Sequence, residues 1–129
     1  SCDIAILAAA VADYTPEVVA PEKIKKKGDH FSLNLIPTVD ILASLGKLKT
    51  TQKLIGFALE TENEIENART KLQKKHLDAI VLNSLRDKGA GFGTDTNKIT
   101  FITPKKLQEF PLKSKEAVAK DILTECINL

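Results

Sequence analysis

The sequence predicts an α/β fold, a mostly parallel β-sheet with flanking helices and an additional β-hairpin arm. Three observations predict it. Three short apolar runs, at residues 4–11, 54–59 and 78–83, read as buried parallel strands. Segments with helical apolar spacing lie between or after them, and strand–helix alternation is the order of a parallel sheet. At 129 residues the chain is long enough to bury about two-thirds of its unfolded surface around one core, and too short for two packed domains.

Taken in order, Ile4-Ala5-Ile6-Leu7-Ala8-Ala9-Ala10-Val11 forms the first strand and ends in a polar loop at Asp13-Tyr14-Thr15-Pro16. Residues 23–27 and 31–36 then form a hairpin about Gly28-Asp29, in which Phe31, Leu33 and Leu35 alternate with Ser32 and Asn34. Thr38 or Asp40 starts a helix through Ile41, Leu42, Leu45 and Leu48, which leads into the second strand at Leu54. Thr61-Glu62-Asn63-Glu64 has the spacing of a capping box. It opens a helix through Ile65, Ala68, Leu72 and Leu77, with Arg69, Lys71, Lys74 and Lys75 in its later turns. The third strand follows at Asp78-Ala79-Ile80-Val81-Leu82-Asn83. A turn at Thr94-Asp95-Thr96-Asn97 precedes a strand at Ile99-Thr100-Phe101-Ile102. The last helix begins near Ser114 and places Ala117, Val118, Ile122 and Ile127 on one side. Right-handed crossovers make the whole Rossmann-like.

Composition removes several classes. Hydrophobic residues at 43% and charged residues at 28% exclude wholesale disorder. No apolar run reaches the length of a membrane span, and no basic-then-apolar signal opens the chain, so the expectation is a cytoplasmic protein without a membrane partner. With 19 Lys+Arg against 17 Asp+Glu, one Tyr and no Trp, the chain lacks both the charge and the stacking platforms of a nucleic-acid binder. Cys2 and Cys126 stand far apart without CxxC spacing, which predicts reduced thiols and no zinc site. The sequence has no Met and opens directly on an apolar run, as a segment of a longer polypeptide would.

Ligands of open α/β sheets bind outside the carboxyl ends of the strands, which directs attention to Ala9, Ala10 and Asp13, then Glu60, then Asn83. Small side chains at Ala9 and Ala10 let a flat ligand approach the backbone, and Asp13 could hold a divalent cation or a ring amine. The alternative is that the alanines pack under a helix and Asp13 caps a turn. As a strand, Lys23-Ile24-Lys25-Lys26-Lys27 would set Lys23, Lys25 and Lys27 on one face, successive members about 7 Å apart. Such a row suits the phosphates of a nucleotide. It equally suits an edge strand guarded by lysines against aggregation. Gly89-Ala90-Gly91-Phe92-Gly93 misses the GxGxxG spacing and precedes a strand, so it reads as a loop or lid and demotes an NAD(P)-binding oxidoreductase. His30 and His76 have no partner at ligand spacing, and no Ser stands in a triad pattern.

Five strings carry a family likeness: Ala8-Ala9-Ala10-Val11-Ala12-Asp13-Tyr14, Pro21-Glu22-Lys23-Ile24-Lys25-Lys26, Asp40-Ile41-Leu42, Gly56-Phe57-Ala58-Leu59-Glu60-Thr61 and Gly91-Phe92-Gly93-Thr94-Asp95-Thr96-Asn97. In this order they resemble phosphopantothenoylcysteine synthetase, the phosphopantothenate-cysteine ligase family. In bacteria this enzyme is usually the carboxy-terminal half of a bifunctional coenzyme A biosynthesis flavoprotein, whose other half is a flavin-dependent decarboxylase.

The resemblance implies that residues 1–129 are the carboxy-terminal portion of a single ligase domain, its sheet incomplete on the N-terminal side. The implied reaction uses CTP and Mg²⁺ to activate 4'-phosphopantothenate as an acyl-cytidylate, which cysteine converts to the amide. Lys23 is the implied catalytic residue. Ala9, Ala10 and Asp13 would line the nucleotide and intermediate pocket, with Asp13 near the base or the Mg²⁺, and Lys26, Asp40 and Phe57 match further motif positions. FMN would belong to the decarboxylase half alone. Family members are dimers with crossing sheet arms, which implies a homodimer through the hairpin at residues 23–36. Pro37-Thr38-Val39-Asp40 departs from the family's Lys-Asn-Pro-Asp. The family's upstream glycine-rich nucleotide turn lies outside the 129 residues, so the segment by itself is expected to serve as a folding and dimerisation module without turnover.

Overall fold

A computed structural model describes residues 2–26, 28–84, 86, 89, 90 and 93–129. It divides into two units, one formed by Ala9–Asp40 and the other by the segment ending at Ala8 together with Ile41–Leu129.

The larger unit is an α/β layer structure. Its strands are β1 (Ile4–Leu7), β4 (Lys53–Glu60), β5 (Ala79–Ser84), β6 (Thr96–Ile102) and β7 (Leu107–Ser114), and its helices are α1 (Ile41–Leu48), α2 (Glu64–Lys74) and α3 (Lys115–Ile127). The sheet runs β1-β4-β5-β6-β7. β1, β4 and β5 are mutually parallel, whereas β6 and β7 extend the sheet antiparallel. Both faces of the parallel part are covered, which is why these strands read as continuous apolar runs rather than alternating ones. Leu54, Ala58, Ile80, Leu82 and Ile102 pack with Ala68 and Leu72 of α2 and with Leu42 of α1. On the opposite face Ile55, Ala79, Val81, Ile99 and Phe101 pack with Val118, Ile122 and Cys126 of α3. At the start of the strands Asp78 accepts from Leu54 N at 2.7 Å and from Lys49 Nζ at 2.6 Å through the same carboxylate oxygen, tying β4, β5 and the end of α1 together.

Several expectations are corrected here. The first strand ends at Leu7 rather than Val11, because Ala8, the last residue of this segment assigned to the larger unit, already has no ladder partner. The capping box does not form: α2 starts at Glu64, and its N-cap is Asn63 in the left-handed region (φ 45°) with no side-chain cap bond. Glu64 instead accepts from Ser84 Oγ at 2.6 Å. Leu77 lies beyond α2, in a Schellman ending where Leu77 N–H donates to Leu72 C=O and His76 N–H to Gln73 C=O. In α3 the inward row is Val118, Ile122 and Cys126, at i, i+4 and i+8, so Ile127 is turned to solvent at 75% exposure. Ser114 caps α3 as expected, accepting from Ala117 N at 3.2 Å. β7 has no counterpart in the sequence reading. Its Pro111 falls where the pairing shifts register, so that Pro111 and Leu112 oppose Lys98 alone, a bulge on an edge strand that tolerates a missing N–H.

His76 occupies the C′ position of the Schellman ending at φ 53°, where glycine avoids the Cβ strain of the left-handed region. His76 is exposed, so little packing is lost on truncation. His76→Gly should stabilise the protein by about 1 kcal/mol, read as a higher urea midpoint at unchanged slope.

In the smaller unit β2 (Tyr14–Pro16) pairs antiparallel with β3 (Leu35–Pro37). A hairpin is present, but with other strands than expected: residues 23–26 carry no ladder, Lys27 lies outside the described residues, and β3 pairs with β2 across an eighteen-residue connection, 17–34. The predicted ribbon about Gly28-Asp29 would have an apolar face with nothing in its own unit to bury it, and a two-stranded ribbon alone is marginal. Phe31 remains 67% exposed, Ile24 54% and Leu33 48%. The ladder of β2 and β3 is instead extended at both ends, by Glu17 N to Asn34 O at 3.0 Å and Thr38 N to Asp13 O at 2.8 Å.

Candidate functional site

The segment that leaves β1 carries Ala9, Ala10 and Asp13, all exposed. Asp13 C=O accepts from Thr38 N, so the smaller unit brings Asp13 and the 38–40 segment together at the open end of its ladder. Thr38 Oγ1 is buried there without a hydrogen-bond partner, an acceptor and donor left for another molecule. Asp40 is the residue before α1. Sequence reasoning treated Thr38 only as a helix start or a departure from a motif, since an orphaned hydroxyl has no sequence signal.

Lys23 and Lys26 are brought together. With Glu22, Ile24, Lys25 and residues 28–31 they line an open groove of about 730 Å³, within the size range of small-ligand sites. Three ammonium groups face two carboxylates, Glu22 and Asp29, so the groove carries net positive charge suited to phosphate. Because residues 23–26 are not a strand, the lysines meet through the curvature of the loop rather than on one face of a sheet. That corrects the same-face reading of Lys23 and Lys25.

In the larger unit Phe57 is half-buried on the α3 side of β4 and packs against the buried cluster that includes Ile55, Val81 and Phe101. At the carboxyl end of β4, Glu60 accepts from Lys71 Nζ at 2.6 Å and from Asn67 Nδ2 at 3.3 Å, which fixes the carboxylate against α2. At the end of β5, Asn83 Oδ1 is buried with no partner, a second unmet acceptor at a strand end. Among the described residues no group of three or more His, Cys, Asp and Glu is placed to hold a metal. Asp13, exposed in the smaller unit, belongs to no such group.

Cys2 is exposed and Cys126 buried, both as free thiols. Burial, reinforced by the Glu125 carboxylate, pushes the Cys126 thiol above its ordinary value of 9.0, which fits a packing residue rather than a nucleophile. Of the glycine-rich segment, Gly91 and Phe92 lie outside the described residues. Gly89, at φ +84°, offers its carbonyl to Thr96 Oγ1 at 2.6 Å and Thr94 Oγ1 at 3.2 Å. No helix among the described residues is long and apolar enough to cross a membrane.

Comparison with known proteins adds a lineage to this geometry. The family profile of the DNA/pantothenate metabolism flavoprotein C-terminal domain matches residues 1–129. The chain is 48% identical over 124 residues to the coenzyme A biosynthesis bifunctional protein CoaBC of Bacillus subtilis (strain 168), covering 95% of this chain and 30% of that protein. It is 55% identical over 130 residues to a cysteine/cysteine sulfinic acid decarboxylase from an unknown prokaryotic organism, covering 99% of this chain and 36% of that protein. The chain thus spans about a third of the length of these relatives. Among solved structures, the crystal structure of the C-terminal domain of coenzyme A biosynthesis bifunctional protein CoaBC superposes with a TM-score of 0.73 at 39% identity, over 95% of this chain and 52% of that one.

Proposed function

Because the chain belongs to the DNA/pantothenate metabolism flavoprotein C-terminal domain family, we propose that it is the carboxy-terminal portion of a phosphopantothenate-cysteine ligase domain acting in coenzyme A biosynthesis. The observation that carries this reading is the family match over the whole of residues 1–129, which takes in the sheet and the loops with the motif residues alike.

In the proposed reaction a carboxylate oxygen of 4'-phosphopantothenate attacks the α-phosphorus of CTP, and pyrophosphate leaves with the electrons of the broken P–O bond. The cysteine amine then attacks the acyl carbon, CMP departs, and the amine loses a proton as the amide forms. Lys23 neutralises charge that grows on the phosphate oxygens in the first step, and Lys26 holds the same phosphates in the groove they share. Ala9 and Ala10 leave room for the base against the backbone, and Asp13 receives the ring amine or the Mg²⁺ carried by the triphosphate. Asp40 and Phe57 complete the set of proposed binding residues. Flavin has no place in this segment. The exposed Ile24, Phe31 and Leu33 give residues 23–36 an apolar surface for a second subunit, and a homodimer through that arm is part of the proposal. The 129 residues by themselves are proposed to fold and pair without turning over.

A second reading rests on the decarboxylase relative: the polypeptide that carries this segment releases CO₂ from a cysteine-type substrate, and the segment accompanies that activity. One incubation separates them. The full-length polypeptide with 4'-phosphopantothenate, cysteine and CTP should form pyrophosphate, CMP and amide in equal amounts. CO₂ released from cysteine without nucleotide consumption would favour the second reading.

A further inference from the structure

Where α2 covers the sheet, the antiparallel extension leaves a small groove. The register sets Leu82 of β5, Thr100 of β6 and Glu109 of β7 in one row across three strands. Ser84 and Lys98 are each two residues along their strands from that row, so they stand on the same face about 7 Å nearer the carboxyl end of β5. Glu64 and Ile65 in the first turn of α2 form one wall, Arg86 the rim, and the groove measures about 260 Å³.

Its lining is specific in kind. Leu82 and Ile65 make an apolar floor, two cations come from Arg86 and Lys98, and two carboxylates from Glu64 and Glu109. The hydrogen bond from Ser84 Oγ to Glu64 Oε1, 2.6 Å long, holds one of those carboxylates in place. A triphosphate would be repelled by the carboxylates, and a metal ion by the cations. A hydrophobic ligand would leave the Arg86 guanidinium and the Glu109 carboxylate of the groove without a charged partner. What satisfies both signs over an apolar floor in so small a volume is a zwitterion with a short side chain. Arg86 suits its carboxylate, and Glu109 its ammonium. The groove also opens at the carboxyl end of a parallel strand, the end of such sheets where ligands bind.

We infer that this groove binds the free α-amino acid substrate, which on the ligase reading above is the cysteine that accepts the acyl group. Arg86 and Glu109 are both exposed, so Arg86→Gln and Glu109→Gln leave the core untouched. In the full-length polypeptide, with CTP and 4'-phosphopantothenate saturating, each substitution should raise KM for cysteine about tenfold, the loss of one charge-assisted hydrogen bond, while KM for CTP stays within about twofold. KM for cysteine unchanged in both variants would overturn the assignment while leaving the ligase reading standing. If the unsubstituted polypeptide releases no pyrophosphate from CTP, the ligase reading fails and this inference falls with it.

Discussion

Lys23→Ala in the full-length polypeptide should lower pyrophosphate release from CTP and 4'-phosphopantothenate by at least about a hundredfold, the scale on which a preorganised charge at a reacting phosphate contributes. The expectation rests on where the residue sits. Lys23 is exposed, lies in no helix or strand, and shares its groove with Lys25 and Lys26. Removing its ammonium group therefore leaves no buried partner unpaired and opens no cavity, so the unfolding midpoint should stay within about 0.5 kcal/mol of the parent. A large loss of rate at constant stability can then come only from chemistry or binding. Lys23→Arg tests whether the charge itself carries the effect: it keeps the charge but changes the point geometry of the ammonium, and should restore part of the rate. Pyrophosphate release within about twofold of the parent in Lys23→Ala would remove this residue from the activation step and leave the lysines as a solvated guard on an exposed segment.

What the sequence revealed depended on whether a residue's environment follows from its near neighbours. β4 and β5 were legible because both faces of a covered parallel strand are apolar, and Leu54 to Leu59 need no knowledge of what covers them. α3 was legible from Ser114, whose side chain does cap the helix. β7 was not, since its polar residues and Pro111 describe an edge strand whose partner, β6, alone makes it a strand. The hairpin about Gly28-Asp29 failed for the converse reason: the local alternation of Phe31, Leu33 and Leu35 is a correct strand pattern that finds no apolar surface within its own unit. The same division holds for the sites. The lysines of the larger groove are consecutive and were conspicuous, although they meet through a loop. Arg86, Thr100 and Glu109 converge only because β5, β6 and β7 fold back on one another, and no spacing in the sequence announces them.

Gly46→Ala should destabilise the protein by about 3 kcal/mol, lowering its melting temperature by roughly 10 °C, although the same change in an exposed helix stabilises. Gly46 is the buried residue of α1. A Cβ at this position would collide with the backbone carbonyl oxygen of Lys75, the C-cap of α2, and would also touch His76 Cβ at 3.5 Å. The obstacle is backbone, held by the Schellman bonds of His76 and Leu77, so it cannot rotate aside as a side chain would. Either α1 must withdraw, opening space over Leu42, or the α2 ending must come apart and release Leu77 from the core. Gly56 provides the contrast. Its added Cβ would meet Leu42 Cδ2 at 2.6 Å, the far end of a flexible side chain, and Leu42→Val should recover part of the cost of Gly56→Ala in a double-mutant cycle. No shortening of Lys75 can do the same for Gly46→Ala, because the clashing atom belongs to every residue type. Urea unfolding of the two single variants and of Gly46→Ala combined with Lys75→Ala tests the distinction. A neutral or stabilising Gly46→Ala, or a full rescue by Lys75→Ala, would mean that the close approach of α1 to the end of α2 is not a fixed feature of the fold.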